Sequence, residues 1–122
     1  MTVSQSHPAL FRFAGDARCF AAGQPVFTEG QAGDVMYGVQ EGYVEVKIHD
    51  KVVETIGPGG FVGEMALIDH QPRSATVIAK TDCKLVPIDE RRFTYLVQQT
   101  PFFALELMRV LVRRLRQMDA QL

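Results

Sequence analysis

Between Ala17 and Ile88 the apolar residues come in short bursts with a period of two, each burst cut off by turn-forming residues. Tyr43–His49 is the clearest. Val44, Val46 and Ile48 share one face and Glu45, Lys47 and His49 the other, the signature of a half-buried antiparallel strand. Turn pairs at Gly23-Gln24, Glu29-Gly30, Gly33-Asp34, Glu41-Gly42, Asp50-Lys51 and Thr81-Asp82, with the run Gly57-Pro58-Gly59-Gly60, recur too often to leave room for helical crossovers between parallel strands. The pattern predicts an all-β roll. Near Asp89 the hydrophobic period changes. Glu90 to Gln99 fits one short helix with Asp89 as its N-cap, and Pro101, harmless in a first helical turn, opens a second helix that runs to the end of the chain.

The second helix carries two apolar stripes. Met108, Leu111, Leu115, Met118 and Leu122 follow the alternating three-and-four spacing of a coiled-coil seam, while Phe103, Leu107 and Val110 form another row. Two arrangements satisfy this pattern. Either one broad stripe packs on the roll, or one stripe holds the roll and the other meets a second subunit or covers a ligand. Arg109, Arg113, Arg114 and Arg116 outnumber Glu106 and Asp119 on the same helix, and we read them as a solvated polar face.

Composition narrows the classes of function. A chain of 122 residues is one domain, and at 47% hydrophobic content it can bury roughly two-thirds of its unfolded surface. We therefore expect one domain over residues 1–122, with the roll over about 17–88 and the helices over about 89–122. Thirteen Lys and Arg against 14 Asp and Glu leave a net charge of −1, without the basic excess that draws a protein to nucleic acid or anionic lipid. Cys19 and Cys83 lie far apart and too sparsely for a disulfide framework or a short metal-ligand pair, so they read as buried free thiols in a reducing compartment. With no signal-peptide pattern in the first residues and no long apolar run, a cytoplasmic protein that does not enter the membrane is expected, complete from its natural start at Met1.

Candidate chemistry is concentrated in residues 57–77. Four glycines, Gly57, Gly59, Gly60 and Gly63, permit close backbone approach just before a short helical segment that begins near Glu64, and the unpaired N–H groups of a first helical turn suit an anion. After Pro72, the segment Arg73–Ala79 resumes a strand in which Arg73 shares the parity of Ala75, Val77 and Ala79. That small-residue face should point inward. An arginine aimed there is costly unless it meets a fixed negative charge, and its planar fork suits a phosphate. Either a ligand supplies that charge or Glu64 does. Thr76, of opposite parity, reads as an ordinary strand residue, and Tyr37, Phe61 and Val62 as core.

Gly63-Glu64-Met65-Ala66-Leu67-Ile68-Asp69 followed by Pro72-Arg73-Ser74-Ala75-Thr76 resembles the phosphate-binding cassette of the cyclic nucleotide-binding domain family. Glu29–Asp34, Met36-Tyr37 through Gly42 with Val44-Glu45-Val46, and Cys83–Phe93 resemble further landmarks of that family in the same order, so the likeness covers about Phe20 to Met118. The resemblance implies a mainly β fold, an eight-stranded antiparallel jelly roll followed by a short helix and a longer C-terminal helix. It also implies that Arg73 pairs with the cyclic phosphate and Glu64 accepts the ribose 2′-hydroxyl, with Gly63, Met65 and Ala66 lending backbone groups around them. Ser74 stands where the family associates threonine with guanine, which leans the ligand toward cyclic AMP rather than cyclic GMP. One departure is Val62, where the family has phenylalanine directly before Gly-Glu. Here the phenylalanine is one place earlier, at Phe61.

Competing classes fare worse on the same residues. His7, His49 and His70 are neither clustered nor on one strand face, so a metal-dependent jelly-roll enzyme is not expected, and no G-x-S-x-G nucleophile elbow is present. Binding DNA through a helix-turn-helix would need about sixty more residues after the last helix. Iron–sulfur or haem sensing would need ligands this chain lacks. The expectation is a stand-alone, non-catalytic cyclic nucleotide sensor without a catalytic cofactor or metal. It would signal through its C-terminal helix to an unnamed protein partner, with that helix also able to form a homodimer. The alternative is a nucleotide-independent dimerisation or docking module in which Glu64 holds Arg73.

Overall fold

The computed structural model describes the backbone of Val3–Ser4 and of residues 16–121, and the side chains of residues 16–116. The chain divides into two compact units, one ending at Glu90 and one beginning at Arg91. In the first, the strands are β1 (Val3–Ser4), β2 (Arg18–Phe20), β3 (Pro25–Phe27), β4 (Met36–Glu41), β5 (Val44–Ile48), β6 (Lys51–Ile56) and β7 (Phe61–Val62). A short helix α1 (Glu64–Asp69) then precedes β8 (Thr76–Ala79) and β9 (Cys83–Ile88). They form a five-stranded sheet in the order β1-β6-β5-β8-β3 and a four-stranded sheet in the order β2-β9-β4-β7. From Arg18 to Ile88 there are eight strands, all paired antiparallel, which is the roll the sequence led us to expect. The two-residue β1 is an addition, and it runs parallel to β6.

The alternation that marks strands in the sequence explains the packing. Phe27, Tyr37, Val39, Val44, Ile56, Val62, Val77, Ala79, Cys83 and Leu85 form one buried cluster drawn from both sheets. The strand read at Tyr43–His49 is β5. Its buried end is Val44, whereas Ile48 at the far end is exposed, because the hairpin to β6 projects beyond the core there. The turn sits at His49-Asp50 rather than Asp50-Lys51. Both residues adopt left-handed backbone (φ 51° and 64°), the twist that joins two antiparallel strands most tightly, and Lys51 already belongs to β6. Arg73–Ala75 precede β8 instead of forming part of it, yet they keep the expected parity, since Arg73, Ala75, Val77 and Ala79 are all buried.

The second unit comprises α2 (Glu90–Gln99) from its second residue onward and α3 (Pro101–Gln121), the two helices read from the change of period. Phe93 and Phe103 meet edge to face with ring centroids 5.7 Å apart. Phe103, Leu107 and Val110 are buried. Of the proposed seam, Met108 and Leu115 are exposed and Leu111 is half-buried, while the side chains of Met118 and Leu122 lie outside the described residues. The exposed apolar row is Leu105, Met108, Val112 and Leu115, which keeps the seam's spacing in a slightly rotated register. No helix among the described residues is long and apolar enough to cross a membrane.

Cys19 and Cys83 are both free thiols, but only Cys83 is buried as expected; Cys19 is exposed. Phe20 is the cross-strand partner of Cys83, so Cys19, one residue earlier, points to the opposite face of the sheet. Burial, with a smaller push from Asp82, raises the Cys83 thiol from 9.0 to about 11. The folded chain therefore holds this proton more tightly than the unfolded chain. Its contribution to stability is complete below about pH 9 and is lost as pH rises through about 11. Cys83→Ala should make the alkaline fall in stability between those values shallower, as measured by urea unfolding at a series of pH values.

Candidate functional site

The segment from Gly63 to Thr76 is held by its own turns and by the loop after β3. Gly63 has left-handed backbone (φ 80°) and starts α1 without a side-chain cap. The helix ends at His70, also left-handed, whose N–H donates to the Ala66 carbonyl at 3.0 Å, and the Gln71 N–H donates to Asp69 Oδ1 at 3.0 Å. Both backbone groups of Arg73 are then tied down: its N–H donates to the Gln31 carbonyl and its carbonyl accepts from the Gly30 N–H, each at 2.8 Å. Thr76, an ordinary strand residue by parity, adds a latch, because its Oγ1 accepts the Glu29 N–H at 2.9 Å.

The Arg73 side chain is only 6% exposed. Its Nη1 donates to the Gly63 carbonyl at 3.2 Å, and its Cζ lies 4.1 Å from the centre of the Phe27 ring, within the range of a cation–π contact. Its Nε is buried and has no hydrogen-bond partner among the described residues. The hydrogen bond that the guanidinium makes is to a backbone carbonyl, that of Gly63. Burial pushes the guanidinium below its ordinary proton affinity, and Tyr37 and Asp34 act in the opposite direction.

The other residues singled out in the sequence take different positions. Glu64 is 1% exposed and Ala66 is buried, while Met65 and Ser74 are exposed and meet each other, the Ser74 hydroxyl donating to Met65 Sδ at 3.8 Å. Gly63, Met65, Arg73 and Ser74 are thus joined by direct contacts. Tyr37, Phe61 and Val62 are core residues, as read. Val62 pairs with Tyr37 across β4 and β7, and both Phe61 and Val62 are buried.

Two neighbours of Arg73 escaped the sequence reading. Phe27 looks like any apolar strand residue, and alternation does not say which side chain will lie on its ring. Gly33 reads as a turn glycine. Its backbone does not need the left-handed freedom of glycine. Instead, a Cβ there would meet Arg73 Nε and lie 2.5 Å from Cζ and 2.6 Å from Nη2. A Cβ on Gly63 would lie 2.6 Å from Arg73 Nη1. The guanidinium therefore occupies a slot whose walls are two glycines and one aromatic ring. Among the described residues no group of three or more His, Cys, Asp or Glu side chains could hold a metal ion.

Comparison with known proteins agrees with this architecture. The model of the cyclic nucleotide-binding domain matches residues 17–100, and the chain belongs to that family. It is 33% identical over 110 residues to the cyclic AMP receptor protein of Thermus thermophilus, an alignment that covers 86% of this chain and 51% of the relative. It is 37% identical over 78 residues to the cAMP-dependent protein kinase regulatory subunit of Eremothecium gossypii, covering 64% of this chain and 17% of the relative. The chain thus spans about half or less of these relatives. Among solved structures, the Thermus thermophilus catabolite activator protein superposes with a TM-score of 0.75 at 29% identity, over 92% of this chain and 60% of that one. A protein from work on a cyclic-GMP-dependent signalling pathway that regulates bacterial phytopathogenesis superposes with a TM-score of 0.76 at 31% identity, over 94% and 98%.

The slot has a direct test. Gly33→Ala leaves the local backbone conformation allowed, so the roll should still fold, but the new methyl must displace the guanidinium. Backbone amide shifts should change chiefly at Gly63 and Arg73 and little in β5, β6 and β9. Changes spread evenly over both sheets would show that Gly33 serves the fold as a whole.

Proposed function

We propose that this chain is a cyclic nucleotide sensor in which Arg73 binds the cyclic phosphate and Glu64 accepts the ribose 2′-hydroxyl. The observation that carries the proposal is the buried guanidinium whose Nε has no hydrogen-bond partner among the described residues and whose Nη1 donates to the Gly63 carbonyl. A fixed cation removed from water is costly, and an anionic ligand recovers that cost best when it offers several oxygens in one plane. Gly63, Met65 and Ala66 surround sugar and phosphate through their backbone, and the buried Glu64 favours a ribose, because a deoxyribose would leave its carboxylate without the hydroxyl. Ser74 beside Arg73 favours cyclic AMP over cyclic GMP. No bond is made or broken. Capture of the phosphate reports itself as a population shift in the helices from α2 onward, which needs only a few kcal/mol of differential binding.

Calorimetric titration with cyclic AMP and cyclic GMP tests the ligand. We expect binding of cyclic AMP to be the tighter. Arg73→Ala should lose about 2–5 kcal/mol of affinity and Glu64→Ala somewhat less. Undiminished binding by a folded Arg73→Ala protein would end the proposal.

A second reading rests on the exposed row Leu105, Met108, Val112 and Leu115: α3 pairs with a second copy of the chain. This role is compatible with sensing, and it also stands alone as a dimerisation or docking function. Leu105→Glu with Leu115→Glu should halve the mass found by sedimentation equilibrium. An unchanged mass leaves this row without a subunit contact.

A further inference from the structure

We infer that Phe27 is a positioning residue for Arg73: its ring carries the guanidinium and, with Gly33 and Gly63, fixes the direction in which the free N–H edge is offered to an anion. The inference rests on the assignment of Arg73 as the phosphate ligand and extends it to a strand, β3, outside the Gly63–Thr76 segment. A long arginine side chain has several rotatable bonds, and a single hydrogen bond of 3.2 Å to the Gly63 carbonyl leaves rotation about that bond open. A flat support 4.1 Å away removes that freedom, since the guanidinium keeps its contact with the ring only over a narrow range of tilts.

The support is itself rigid. Phe27 is buried, and its ring stacks near Tyr37 at 6.3 Å between centroids with 27° between planes. A Cβ on Gly63 would lie 3.1 Å from the Phe27 ring as well as 2.6 Å from Arg73 Nη1, so the glycine lets ring and guanidinium approach one another. The backbone of Arg73 is bonded on both sides to Gly30 and Gln31, only a few residues beyond Phe27. Strand β3 and its following loop therefore hold both ends of the same arginine. An aliphatic residue at position 27 could fill the volume but would offer no negative π face to the cation.

The test uses the Nε–H resonance of Arg73 and nucleotide affinity together, in the wild type, Phe27→Leu and Val39→Ala. Val39→Ala removes volume from the same core cluster without touching the slot, and so controls for lost stability. In the nucleotide-free wild type the ring current of Phe27 should move the Arg73 Nε–H signal upfield. In Phe27→Leu it should return toward the free-arginine position, and affinity for cyclic AMP should fall about tenfold. Val39→Ala should keep both.

A wild-type Nε–H at the free-arginine position overturns the inference, even if Phe27→Leu does not fold. So does an equal loss of affinity in Val39→Ala and Phe27→Leu, or affinity within twofold of wild type in Phe27→Leu. An upfield signal in a wild-type protein that binds neither cyclic AMP nor cyclic GMP leaves the stacking in place and overturns the assignment of the phosphate ligand, together with the positioning role built on it.

Discussion

A guanidinium withdrawn from water inside a β-roll is the constraint around which the surrounding structure is arranged. Removing a charge from solvent costs several kcal/mol unless fixed partners replace the water. Here the direct contacts include one backbone carbonyl and one aromatic face, with the Asp34 carboxylate acting from farther off. Neither contact neutralises the charge. The buried Nε keeps a hydrogen-bonding capacity that no described residue uses. Glu64, two residues beyond the end of β7, is buried as well.

Local geometry follows from that requirement. Two glycines stand where a methyl group would strike the guanidinium, for different reasons: Gly63 also needs its left-handed backbone to turn from β7 into α1, while Gly33 needs only the absence of a side chain. The loop after β3 supplies the main-chain bonds that hold Arg73 in place, and the Thr76 hydroxyl fastens that loop to the start of β8. Residues nearly fifty positions apart in the chain thus behave as a single rigid wall.

Much of this was legible in the sequence. Period-two patterning and the spacing of turns gave the roll, and the change of period at Asp89 gave both helices, because burial on one face of an element leaves a direct imprint on residue order. The inward direction of Arg73 followed from parity alone. The misreadings have physical reasons too. His49-Asp50 makes the hairpin turn because both residues tolerate left-handed backbone, a property that a composition rule favouring Asp50-Lys51 overlooks. The exposed row on α3 is offset from the seam drawn through Leu111, since spacing fixes the period of a stripe but not which of two neighbouring stripes is covered. Phe27 was invisible because its contact with Arg73, far away in sequence, leaves no periodic trace in either segment.

The main-chain bonds of Arg73 separate two histories that this site can have. Its N–H and carbonyl are fixed to Gln31 and Gly30 whatever side chain it bears, so the wall persists when the guanidinium is lost. Selection on the fold and selection on the ligand therefore act on different atoms of one residue. On the proposed assignment of Arg73, a lineage can surrender its ligand in a single codon change and keep an intact roll, free to drift toward purely architectural roles. By the same logic, a descendant that has lost the arginine needs no refolding of the scaffold to recover it.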